Sequence, residues 1–249
     1  MPLPVIDRPI YKANVLSRSE PISFVPFSVK ESKILMMAKE SKETESIVDA
    51  FKQILRNCLV NKEIDVDQLP MVDLEWLFLN IWARSSGEKT PLFFKCNNKI
   101  PVNPPKNPNV PQSEECGMLL EFDIDLLQVP VINKDVNKKI FLEGENIGMV
   151  MKLPTFEMTQ QLAKSTGDLD IKLAAMCVDY VFDNDTITKG DDVSLDEMIN
   201  FIESLSQDKY AQVEKFFENC PVIQQKVEKT CSKCGFHHKI TLEGLEDFT

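Results

Sequence analysis

Hydrophobic and polar positions along the chain fall into successive periodicities. From Ser28 to Glu88 the apolar residues recur at helical spacing. Ser28 and Glu31 stand at capping-box distance, so each side chain can take up a backbone donor that a first helical turn leaves free. Ile47, Phe51, Ile54, Leu55 and Cys58 then form an i, i+4, i+7, i+8, i+11 stripe, which buries one face of a second helix. Leu69-Pro70 interrupts the pattern. Leu74, Leu77, Phe78 and Ile81 resume it, while Trp76, Leu79 and Trp82 fill the other faces. A helix apolar on all sides belongs in a core or an interface, and Gly87 predicts its stop.

From Thr90 the period becomes two. Leu92 to Cys96 reads as a short strand, and Leu120, Phe122, Ile124 and Leu126 alternate with Glu121, Asp123 and Asp125, a strand with one wet face. Val129 to Ile132, Lys139 to Leu142 and Ile147 to Lys152 add strands separated by polar, hairpin-like breaks. The Pro/Asn-rich stretch 101–112 predicts a surface loop. After Thr155 the spacing turns helical again, with a stripe of Leu169, Leu173, Met176, Cys177 and Tyr180. Ser194 and Glu197 make a second capping-box pair before Ile199, Ile202 and Leu205, and Tyr210, Val213, Phe216 and Phe217 mark a last helix. Between these helices DNDTITKGDD, residues 183–192, lacks the alternating oxygen ligands and the final bidentate Glu of a calcium loop; it reads as a solvated acidic turn. Residues 221–249 read as strand, CxxC turn, strand.

The pattern predicts an α+β chain: N-terminal helices packed on an antiparallel β region, then a C-terminal helical segment ending in a β-hairpin with a CxxC turn. The expected divisions are an extended arm at 1–27, where Pro2, Pro4, Pro9, Pro21 and Pro26 oppose a helix; an α+β domain at 28–154, with helices over 28–85 and strands over 90–153; a helical segment at 155–219; and the CxxC hairpin at 220–249. Phe24, Val25 and Phe27 suggest a short docking strand within the arm.

Charge narrows the partners. The 249 residues carry 39 acidic against 28 basic side chains, a net charge of -11, with no dense Lys/Arg cluster. Nucleic-acid phosphates and anionic lipid repel such a surface. No run approaches the roughly 18 apolar residues of a membrane span, and the N-terminus lacks a secretory apolar region. No nucleic acid, membrane span or small-molecule substrate is expected.

Seven cysteines (58, 96, 116, 177, 220, 231 and 234) without a signal peptide imply a reducing cytoplasm, with thiols or metal ligands rather than disulfides. Cys231 and Cys234 have zinc-knuckle spacing: a tight turn lets both thiolates face one cation, and Gly235 lets the backbone curl around it. A tetrahedral site needs two more ligands. His237 and His238 are near in sequence, but strand neighbours face opposite sides. Cys96 and Cys116, both beside strands, are the other candidates, with Cys116-Gly117 echoing a knuckle. Four thiolates from two distant hairpins could staple the β region to the C-terminus, and a zinc so bound would be structural, because four protein ligands leave no open position. The plainer alternative is a tight hairpin with free thiols.

No catalytic arrangement stands out. GxSxG, P-loop and GxGxxG motifs are absent, the two histidines are adjacent, and nothing singles out one carboxylate pair. A non-enzymatic protein is expected. Methionines at 36, 37, 149, 151, 158 and 176 suit adaptable docking or ordinary core filling; Trp76, Phe78 and Trp82, if partly exposed, suit partner anchoring, and otherwise the core.

Several segments taken in order resemble a known family: VKESKILMMAKESKE with a helix ending ILRNC, LPMVDLEWLFLNIWARSSGE, the CNN…ECG pair, IGMVMKLP, and the terminal CSKCGFHHKITLEGLEDF. Together they resemble the baseplate hub assembly proteins of T-even-type contractile-tailed bacteriophages, from residue 24 to the C-terminus, less recognisably over 155–218. The resemblance implies a role in building the central hub, as a minor hub component or as an assembly factor absent from the finished particle. The implied partners are phage baseplate hub proteins; the implied location is the host-cell cytoplasm during assembly, or the virion tail baseplate. It implies no catalytic residues. Phe248-Thr249 departs from the family's expected second aromatic. A zinc-ribbon adaptor or regulatory module is the alternative from a different class.

Overall fold

The computed structural model describes residues 7–41, 44–101 and 113–248, and shows a mixed α and β chain with antiparallel pairing. β1 (Tyr11–Ala13) and β2 (Ile22–Phe24) form a small hairpin with Tyr11 opposite Phe24. This part of the arm is extended but built into the core: Ile22 and Phe24 are fully buried. Its strand lies at Ile22–Phe24 rather than across Val25 and Phe27, and Pro2 and Pro4 lie outside the described residues. Ser28 donates through its backbone and hydroxyl to Glu31 Oε2 at 2.8 and 2.6 Å, starting α1 (Val29–Ser41). α2 (Thr44–Cys58) buries Ala50, Ile54, Leu55 and Cys58, while Ile47, at the start of the predicted stripe, stays 39% exposed.

The all-round apolar character of α3 (Met71–Ser86) has a direct explanation: it faces three clusters. Leu74, Leu77, Phe78 and Ile81 pack with the arm and α2; Leu79 and Ala83 pack with Ile124, Leu126, Ile223 and Phe248; Val72 joins a third cluster. Phe78 is core, and Trp76 and Trp82 are half-buried along the seam between the first two clusters. Gly87 caps the helix, its N–H donating to Ala83 O at 3.1 Å. Inside the first turn, Asp73 is buried and accepts the backbone N–H groups of Leu16 and Ser17 at 2.7 and 2.9 Å, tying the arm to α3.

β3 (Lys89–Lys95) pairs with β6 (Leu119–Asp125), and β4 (Lys99–Pro101) with β5 (Ser113–Glu115). The predicted Pro/Asn loop falls largely outside the described residues. β7 (Val131–Ile132), β8 (Lys139–Glu143) and β9 (Ile147–Met151) follow, then α4 (Phe156–Ala163) and α5 (Leu169–Met176).

The helical reading past Met176 is corrected. α5 ends there, and Val178–Asp183 is β10, hairpin-paired with β11 (Thr186–Lys189). The stripe continuing through Cys177 to Tyr180 mimics a helix. However, Val178, Tyr180, Val181 and Phe182 are β-branched or aromatic, and β9 offers β10 a partner with Phe182 opposite Gly148. The acidic turn is therefore a hairpin turn rather than an interhelical one. Asn184 adopts φ 53 there, a left-handed conformation that Asn tolerates. The four strands order as β11-β10-β9-β8.

α6 (Leu195–Glu203) opens with the predicted capping box between Ser194 and Glu197, and α7 (Gln207–Glu218) follows. β12 (Val222–Thr230) pairs with β13 (His237–Glu243) and with β7. Phe248 ends the described chain fully buried against α3.

A four-cysteine candidate metal centre

The β12–β13 register closes at Thr230 opposite His237, leaving Cys231 to Phe236 as the turn. Cys231 N–H donates to Phe236 O at 2.8 Å and Gly235 N–H to Cys231 O at 2.9 Å, so the backbone curls around the two thiols. Gly235 sits at φ 73, a conformation costly for a residue with a Cβ. A second loop of the same kind lies 115 residues earlier. Cys96 N–H donates to Met118 O, Cys116 N–H to Asn98 O and Gly117 N–H to Cys96 O, at 2.8, 2.8 and 2.9 Å, with Gly117 at φ 68. The two cysteines leave β3 and precede β6, so pairing of those strands fixes their separation.

The two loops meet. The sulfurs of Cys96, Cys116, Cys231 and Cys234 all lie within 4.8 Å of one another, and this four-cysteine group could hold a metal ion. Cys96 and Cys234 sulfurs are 3.7 Å apart, as are those of Cys116 and Cys231. A disulfide needs about 2.05 Å, so neither pair is bonded. Tetrahedral zinc with Zn–S near 2.3 Å sets sulfurs about 3.8 Å apart. The observed pairs fit that spacing. Cys96, Cys116 and Cys231 are buried, with Leu120, Phe94, Ile100 and Phe122 as the surrounding apolar shell.

The electrostatics of the four thiols differ. Burial pushes Cys96 up to about 12 and raises Cys116. Cys234 is held down at about 6, chiefly because the Phe236 backbone N–H points at its sulfur, assisted by the Asn98 side chain at 3.5 Å. Backbone N–H groups of Asn98 and Met118 face Cys96 and Cys116 in the same way, each two residues after its cysteine. Such donors stabilise sulfur as thiolate, the form that binds metal. The remaining cysteines lie apart: Cys58 and Cys177 are fully buried in other clusters, where burial pushes their thiols to about 11 and 12, and Cys220 is half-buried with its thiol at about 11.

All four cysteines named as candidates are thus brought together, while the two histidines separate as strand neighbours should. His237 is exposed and pairs with Thr230 Oγ1 and Glu228 Oε2, both at 3.1 Å. His238 is buried, with Nε2 3.1 Å from Cys96 Sγ. Sequence reasoning missed the contacts of His238 and Asn98 with the cluster. Alternation along β13 offered a clue to the first; nothing local offered the second. Lys233, between the two knuckle cysteines, donates to Cys116 O at 2.7 Å and cross-links the loops.

Among the described residues no helix is long and apolar enough to cross a membrane. No curated protein and no solved structure matches the chain. The family described as T4 bacteriophage base plate protein matches residues 8–249, which takes in both cysteine loops and every element of the fold described above. The chain belongs to the T4 bacteriophage base plate protein family.

Proposed function

We propose that this protein is a non-enzymatic participant in building the phage baseplate hub, acting through protein–protein contacts as an assembly factor or as a minor hub component. The observation that carries this reading is the family match across residues 8–249. The net charge of -11 opposes nucleic-acid phosphates as partners. α1 offers contact area of the right kind: Val29, Met36 and Met37, at i, i+7 and i+8 on one face, are 72%, 61% and 70% exposed, and methionine adapts readily to a partner. The partners are hub subunits, met in the host-cell cytoplasm during assembly or in the virion tail.

In this reading the four-cysteine cluster holds a structural zinc. Four thiolates close the coordination shell, so the ion has no position for water or substrate and serves to join two segments more than a hundred residues apart. The paired knuckles also favour a second reading, a zinc-ribbon adaptor or regulatory module with its partner site near Cys231 to His238.

The test is a pull-down with this chain as bait from phage-infected cells, with purified virions probed in parallel. Hub proteins in the pull-down without the chain in virions would identify a released assembly factor. The chain in both would identify a hub component. Recovery of neither would sink the hub reading and favour the adaptor.

A further inference from the structure

A zinc bound by four thiolates carries a formal charge of -2, and that charge would sit where Cys96, Cys116 and Cys231 are all but inaccessible to water. Buried charge is costly unless neighbouring donors satisfy it. Backbone N–H groups of Asn98, Met118 and Phe236 serve Cys96, Cys116 and Cys234. Cys96 is the most enclosed of the cluster, at 0% exposure, and among the described residues a polar side chain from outside the cluster reaches it: His238, from the opposite hairpin, 142 residues away.

We propose that His238 is an outer-sphere positioning residue of this centre, donating its Nε2–H to the Cys96 thiolate when zinc is bound. The inference rests on the zinc reading above. With thiols protonated, the 3.1 Å contact can run in either direction. A zinc-bound thiolate has no proton to give, so the ring must be the donor, which selects the tautomer with hydrogen on Nε2. The imidazole is also clamped. Phe94 on β3 and Phe236 in the CxxC turn meet it edge-on at ring-centroid distances of 5.4 and 4.8 Å. A His ligand is the competing role. The sulfurs already make a complete tetrahedral set, and His238 lies outside the group of mutually close ligand atoms. The hydrogen bond therefore ties β13 to the end of β3 through the metal's own ligand, and disperses charge from the sulfur that solvent cannot reach.

The experiment uses the full-length chain. Zinc content by elemental analysis comes first: one zinc per chain is expected, and a metal-free protein would overturn the zinc reading and this inference with it. In a chain found to bind zinc, 113Cd exchanged for zinc with 15N-labelled histidine tests the bond without any substitution. Scalar coupling between cadmium and the His238 Nε2 proton is expected; a ring protonated on Nδ1 alone would overturn the inference while leaving the zinc reading intact. His238→Phe should keep one zinc and the four-sulfur cobalt spectrum, but bind zinc about 10-fold more weakly, the lower end for loss of an outer-shell partner. His238→Gln, whose amide can reach the same sulfur, should recover most of that loss. Unchanged affinity and spectrum in His238→Phe would overturn the proposal, as would a cobalt spectrum showing that a nitrogen ligand had been removed.

Discussion

The first core and the cysteine corner are held together by different means. Around α2, α3 and the arm, sixteen buried apolar residues pack as one cluster, with Tyr11, Phe51, Trp76 and Trp82 sealing its margin. The corner has four buried residues, and three of them are cysteines. Its sheets are also narrow: β4 pairs with β5 across three residues, and β3 pairs with β6 as a two-stranded ribbon. Isolated two-stranded ribbons are marginal in water, and small apolar cores need staples. The contrast teaches where each kind of stability belongs. Helices that bury a broad stripe hold themselves by burial, whereas two loops joined tip to tip have little area to bury, which is where the proposed zinc would act as a staple.

The sharpest way to break the comparison is to remove the proposed zinc. Structural zinc contributes about 10–16 kcal/mol of apparent binding energy in small zinc-binding peptides, more than any one apolar side chain. Chelation, or Cys116→Ser, should abolish amide-exchange protection beside the two cysteine loops, over residues 92–101, 113–122 and 227–240, and spare α2 and α3. Acidification should do the same, because protons compete for the thiolates. Equal loss in all regions would mean that the corner and the helical core fold as one unit.

Truncating the first core should act in the opposite sense. Leu77 is fully buried there, and Leu77→Ala should cost about 2–5 kcal/mol in denaturant unfolding, through lost burial and the cavity left behind. Zinc content should remain one per chain in the folded fraction. Zinc loss from the folded protein would show the two regions to be coupled.

The join between the arm and α3 comes next in size. Asp73→Ala leaves the Leu16 and Ser17 amides without their acceptor, a loss of about 1–3 kcal/mol. Exchange at those two amides should accelerate before exchange in α2 does.

The smallest expected effect depends on pH. Burial pushes the Glu31 carboxyl up, but hydrogen bonds from Ser28 and Asn57 outweigh it and hold the group below its ordinary value. A carboxyl depressed on folding stabilises fully above its unfolded pKa and loses that contribution as pH falls through the folded one. Glu31→Gln should flatten this acid-side loss in stability measured against pH. An unchanged slope would mean that the cap does not couple to folding.

How far the sequence showed all this depends on the range of the forces involved. The caps at Ser28 and Ser194 and the stop at Gly87 were legible because three or four adjacent residues decide them. β10 was not: its first residues extend a helical stripe, and only pairing with β9 makes it a strand. The cysteine set was legible as four candidates because Cys231 and Cys234 have knuckle spacing, while Cys96 and Cys116 lie beside strands and Cys116-Gly117 echoes a knuckle. His238 was not legible as a neighbour of Cys96, since 142 residues separate them.

By itself the sequence determined the caps at Ser28 and Ser194 and the stop at Gly87, that α3 is apolar on nearly every face, that the chain repels phosphate, and which four cysteines are the metal-ligand candidates. These follow from period, charge and local backbone sterics, which need no knowledge of distant residues. Tertiary structure alone decided that the two cysteine loops face each other with sulfurs 3.7 Å apart, and that His238 rather than His237 turns inward. The physical reason is that both depend on strand register and on how β12–β13 packs against the β3–β6 ribbon, where a shift of one residue would turn every side chain to the opposite face.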